Sequence, residues 1–163
     1  MSVSLIDRFE AGTALLVAAI DGLTVDHERA RPGPGAWSIA ELVAHLVDSD
    51  LVLSDRMKRV IAEAEPALLA FDENAWIARL NSQAMPVEES VNLFAANRTR
   101  MTRILRGLSE ADFARTGVHS ERGRKTLAEL VAGAVSHVDH HLKFLYAKRA
   151  ALGVAIAPRY SPD

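Results

Sequence analysis

The chain has 163 residues, 49% of them hydrophobic and 25% charged, with a formal net charge of -2 and no cysteine. That size suits one domain over residues 1–163, and the mixed charge lacks the basic patch expected of a nucleic-acid partner. Without cysteine there is no disulfide, no thiolate metal site and no cysteine nucleophile, which fits a cytoplasmic location.

The hydrophobic period is helical almost throughout. A first long helix is expected over residues 4–22, capped by Ser4 and stopped by Gly22, with Leu5, Phe9, Leu16, Ile20 and Leu23 on one stripe. Its run "ALLVAAI" is too short to span a bilayer and follows Asp7 and Glu10, where a signal peptide would be basic. It therefore reads as a core helix, and no membrane partner is expected.

The segment "TVDHERARPGPGAW" reads as loop. Ser38 and Glu41 form a capping-box pattern that opens a second long helix over 38–64, with Trp37 packing back over its start. Its stripe is Ile39, Leu42, Leu46, Leu53, Met57 and Val60, and Pro66 ends it. Residues 65–86 form a long connection with a short helix begun by Asp72. A third long helix spans 86–108, with Val87, Val91, Phe94, Met101 and Leu105 on its apolar face. A short turn follows at Ser109–Asp112, and "RTGVHSERGRK" reads as a polar loop. Thr126 and Glu129 open a fourth helix over 126–152 that stops near Gly153. Four long amphipathic helices imply an all-α four-helix bundle, and the long linkers leave room for a crossover.

The fourth helix carries three of the chain's six histidines. At about 100° per residue, His137 and His141 share one face beside the stripe of Leu130, Ala134, Val138, Leu142 and Leu145, while His140 points outward. An i, i+4 pair can chelate one ion. The edge of the second helix offers His45 as a third ligand, whereas His27 and His119 fall in polar loops and read as solvated. Three nitrogen ligands leave a coordination position open, as catalytic sites do. Asp48, three residues after His45, reads as a ligand, an orienting partner of an imidazole or, most simply, a surface acid. Arg98 and Asp50 both break apolar stripes. They read first as a structural ion pair, and second as an arginine aimed at a cavity to hold an anionic substrate group.

"PGPGAWSIAELVAHLVDSD" followed far downstream by "HVDHHLKFL" resembles the DinB-like superfamily, which includes the YfiT-like metal-dependent hydrolases. Trp37, Ser38, His45, Leu46, His137 and His141 carry the likeness in order. The resemblance implies an up-down-down-up bundle, a divalent metal on the three histidines, and a homodimer. It also brings in relatives that transfer or isomerise substrates with a low-molecular-weight thiol such as bacillithiol or mycothiol. Lys143 and Phe144 stand where relatives often have Gly-Gln.

The leading expectation is a metal-dependent enzyme acting on a small molecule, with zinc or nickel as the ion because imidazole suits both. The metal would activate either water or a thiol cofactor, and the family likeness favours the thiol. The pair on the fourth helix has no evident glutamate base beside it, since Asp139 faces away. The rivals are a non-catalytic metal- or small-molecule-binding bundle and a bundle whose histidines are simply packed.

Overall fold

A computed structural model describes residues 3–160. Seven helices and three short strands follow in the order α1 Val3–Ile20, α2 Val25–Arg29, α3 Ile39–Ala62, β1 Ala67–Leu68, α4 Glu73–Arg79, α5 Val87–Arg106, α6 Glu110–Phe113, β2 Thr116–His119, β3 Gly123–Thr126 and α7 Leu127–Ala151. The four long helices are the expected ones to within two or three residues. Among the described residues no helix is long and apolar enough to cross a membrane.

Local chemistry accounts for the helix ends. Ser38 Oγ accepts the Glu41 N–H while Glu41 accepts the Ser38 N–H, so the first turn of α3 satisfies its own orphan donors. Thr126 and Glu129 do the same for α7, and Asp72 caps α4. Gly153 ends α7 at a φ of 77°, a left-handed conformation that costs a glycine little. The first helix begins at Val3, so the expected cap Ser4 falls inside it, and its side chain lies outside the described ones.

Helix directions follow from two core clusters. One gathers Ile6 and Phe9 of α1, Met57 and Val60 of α3, Met101 and Leu105 of α5, and Leu127 and Leu130 of α7. The other gathers Leu16 of α1, Leu42 of α3, Val91 of α5 and Leu142 of α7. The chain thus runs up α1, down α3, down α5 and up α7. Each of α1 and α3 packs on both α5 and α7. Because α3 and α5 are parallel neighbours, the chain must travel back along the bundle between them, and residues 63–86 are that crossover.

Between the clusters lies one polar layer. Arg98 Nε donates to Asp50 at 2.6 Å, Nη1 to the Phe9 carbonyl at 2.7 Å and Nη2 to the Ala134 carbonyl at 3.1 Å. The guanidinium lies over the Phe9 and Phe94 rings at 4.0 and 4.8 Å. A Cβ on Gly12 would approach its Nη1 to 3.2 Å, so α1 comes this close only because residue 12 has no side chain. Arg98 is therefore the structural pair, with every nitrogen engaged, and it does not face a cavity.

Two short elements fall where the sequence reads as loop. Residues 25–29 form α2, five residues with none buried and hence no apolar period to detect. Residues 116–126 form a β-hairpin, and β1 adds to it in parallel to give the sheet order β1-β2-β3. The inward positions of β2 are Gly117 and His119, while Val118 faces out, so the strand carries no apolar alternation. Gly117 is required here: a Cβ would come within 3.0 Å of Leu68 and of the Pro66 carbonyl. This pairing pins the crossover. Val118 donates to Pro66, Ser120 to Leu68, and Ala70 to the Ser120 hydroxyl.

Candidate metal centre

Ala70, Phe71 and Glu73 of the crossover line a cavity with Ser49 of α3 and His137 of α7, beside the point where the histidines meet. His45 extends from α3, and His137 and His141 extend from successive turns of α7. His45 Nε2 lies 3.2 Å from His137 Nε2 and 3.1 Å from His141 Nε2. All three ligand atoms fall within 4.8 Å of one another. The rings pack edge to face or tilted, with centroids 4.4–5.1 Å apart. His45 is buried and also packs against Trp37 at 5.2 Å, so the residue ahead of the α3 cap helps fix the ring.

With its ring proton on Nδ1, each of the three imidazoles offers an Nε2 lone pair, and lone pairs converging on one point would favour a cation among them. Four-coordinate zinc holds nitrogen ligands at about 2.0–2.1 Å, which puts neighbouring nitrogens about 3.3 Å apart. The observed separations match that spacing, so the residues fit a divalent ion. Protonation agrees with this. Burial, then the charges of His45 and its neighbours, lowers His137 to about 4, and burial, then His137, lowers His141 to about 3. Burial also lowers His45, opposed by Glu73. All three imidazoles are therefore neutral at pH 7 and able to donate lone pairs to a metal.

His140 is exposed, packs edge-on against Phe144 and stands outside the group of three. His27 closes the cap of α2 with Thr24 and stands outside the group of three. His119, expected to be solvated, is buried on β2 and shares a cavity wall with His137. Asp48 is not one of the converging ligand group. It lines a groove with Leu51, Val52 and Trp76, and burial raises its carboxyl pKa. Ser49, one full turn after His45, takes the position beside that ring, its Oγ 3.4 Å from both ring nitrogens.

The sequence reading missed Glu73. It opens α4 on the crossover, and its Oε2 lies 3.6 Å from His45 Nε2. It is half-exposed and stands at the rim, outside the three-histidine group. Nothing local marks it; only the path fixed by β1 brings it over α3. Two cavities flank the centre. One, about 270 Å³, opens at His141 between Trp37, Phe144 and Lys148. The other, about 220 Å³, opens at His137 and is lined by Ser49, Arg56, Glu73, His119 and Arg122.

Comparisons with known proteins agree with this geometry. The DinB superfamily profile matches residues 8–145. A protein of Oceanobacillus iheyensis, named a candidate metal-dependent hydrolase, is 33% identical over 108 residues, 66% of this chain and 62% of its own length. The matched region thus spans less than two thirds of that relative. A Geobacillus kaustophilus protein named in the same way is 32% identical over 148 residues, covering 82% of this chain and 83% of its own. Among solved structures, YfiT from Bacillus subtilis superposes with a TM-score of 0.86 at 26% identity, covering 94% of this chain and 90% of its own. It is described as a candidate metal-dependent hydrolase with an unusual four-helix bundle topology. The chain belongs to the DinB superfamily.

Proposed function

We propose that this DinB-superfamily chain is a metal-dependent hydrolase of a small molecule, with zinc or nickel held by His45, His137 and His141 and with Glu73 as general base. The convergence of three neutral Nε2 atoms beside an open cavity carries the reading. An ion bound there supplies Lewis acidity, which makes water a nucleophile near neutral pH. His45, His137 and His141 would hold the ion, and three nitrogen ligands would leave it a position for water or substrate. Glu73, 3.6 Å from His45 and half-exposed, is placed to take the proton that water loses and to return it to the leaving group. Trp37 and Phe144 give the cavity at His141 apolar walls, against which the apolar part of a substrate could pack.

Glu73 is what favours hydrolysis over thiol transfer, because a thiol cofactor arrives with its own acidic proton and has less need of a carboxylate base. The test is turnover of an ester, amide and thioester panel by untagged, metal-loaded protein. Hydrolysis without added thiol is expected, and Glu73→Gln should lower kcat about 10²- to 10⁴-fold while metal content stays near one equivalent. Turnover that appears only with a low-molecular-weight thiol would overturn the hydrolase reading. Absence of bound metal would overturn the centre itself.

A further inference from the structure

The cavity at His137 holds an excess of hydrogen-bond donors on one wall. Arg56 of α3 is only 9% exposed. Its Nη2 donates to the Leu69 carbonyl, but its Nε is buried with no hydrogen-bond partner. Arg122, at the exposed tip between β2 and β3, makes no ion pair among the described residues. The two guanidiniums repel each other, and the Arg122 charge also reaches His119 and His137. Asp55, the acid next to Arg56 in sequence, is bound to Arg59 at 2.7 Å. Glu73 and Glu121 line the same cavity, yet neither lies within ion-pair distance of an arginine.

His119 adds a third donor. Its Nδ1 accepts the Glu121 backbone N–H at 3.2 Å, which leaves the proton of the neutral ring on Nε2. Burial and the two arginines hold the ring neutral. Two guanidiniums outside any ion pair among the described residues, and an imidazole N–H, are thus gathered in about 220 Å³, a space below that of a drug-sized pocket. The two arginines repel each other, and Asp55 and Glu121 only partly offset burial and that repulsion at Arg56, so an anion held between the guanidiniums would be favoured. The guanidinium fork suits a carboxylate or phosphoryl group.

We propose that Arg56, Arg122 and the Nε2–H of His119 form an oxyanion subsite, and that the molecule processed at the three-histidine centre carries a carboxylate or phosphoryl group bound there. The second half rests on the hydrolase reading; the subsite itself does not.

The experiment uses metal-free, full-length protein titrated with inorganic phosphate and, separately, with succinate, followed by calorimetry and, for phosphate, by phosphorus NMR. Saturable binding of at least one anion is expected, and which one binds tells phosphoryl from carboxylate. Arg122→Gln should weaken it about fivefold, and Arg56→Lys, which keeps charge but loses the fork, about tenfold. Arg56 also holds the Leu69 carbonyl, so the exposed Arg122 carries the decision if Arg56→Lys disturbs the crossover. No saturable binding of either anion, or binding unchanged by Arg122→Gln, overturns the subsite. Phosphate binding that appears only after metal loading and ignores Arg122 also overturns it, while leaving the metal centre standing. Anion binding that is lost in Arg122→Gln, in a protein that never takes up metal, retains the subsite and removes the hydrolase reading.

Discussion

The same two helices build two polar clusters that close their hydrogen bonds in opposite ways. Asp50 lies five residues after His45 on α3, and the Ala134 carbonyl lies three residues before His137 on α7. In the Arg98 layer every nitrogen has an acceptor. In the histidine group three like ring nitrogens converge, His45 Nε2 lying 3.1–3.2 Å from the other two. A buried cluster whose donors and acceptors match is complete as protein. One whose ring nitrogens converge on a single point is suited to a cation. Burial alone does not separate these cases, since Arg98 and His45 are both nearly inaccessible; complementarity does.

The largest expected effect comes from breaking the complete cluster. Arg98→Met strands the Asp50 carboxylate in the core and should cost about 3–5 kcal/mol of unfolding free energy, read by urea denaturation. Adding Asp50→Leu should recover much of that, because a buried pair replaced by apolar groups is often near neutral. If the single variant were as stable as the parent, the layer would not be the structural element described.

The histidine group should respond the other way. His141→Ala should lower affinity for zinc or nickel by more than about 100-fold, beyond the 10- to 100-fold usual for loss of an outer partner of a ligand. Metal-free stability should shift by less than about 1 kcal/mol, since no buried charge is stranded. Metal competition assays and thermal melts with and without ion read the two halves separately. A melt raised equally by ion in parent and variant would remove His141 from the ligand set.

Acid should expose the same contrast. The folded values of His137 and His141, about 4 and about 3, lie below the unfolded value near 6.5. The unfolded chain therefore binds more protons than the folded one as pH falls below about 6.5. Metal-free stability should be full above that pH and decline toward pH 4, by at most about 1.4 kcal/mol per pH unit for each histidine. The slope in that window should flatten in His137→Ala.

The bundle was legible because its signals are local. Apolar stripes, the Ser38–Glu41 and Thr126–Glu129 boxes and the helical phase of His137 and His141 each depend on residues within a few turns. His45 was legible by the same phase. The rest of the site was not. Glu73 gains its position, and Arg56 its Leu69 partner, from the crossover that the β1–β2 pairing pins, and that pairing is invisible because β2 turns Gly117 and His119 inward rather than apolar residues. Asp48 was placed near His45 by its i+3 spacing, but the turn beside that ring belongs to Ser49. Helical phase locates a side chain on its own helix; it does not say what a distant segment lays across it.

The smallest effect expected is the most discriminating about phase. His140 differs from His141 by one residue, hence by about 100° around α7. Its ring touches His141 and Phe144 at 5.1 and 4.9 Å, yet it contributes no atom to the converging group. Two opposing terms act in His140→Ala. Its charge, when protonated, repels a cation held at the site just as it repels a proton on His137 and His141, so its removal slightly favours the metal. Its packing on Phe144 steadies the His141 ring, so its removal slightly loosens the ligand. Both are weak at an exposed position and they oppose each other, so affinity at pH 7 should change by less than about twofold. A loss comparable to that of His141→Ala would mean that α7 presents a different face to the groove and that the three-histidine centre is assigned to the wrong residue.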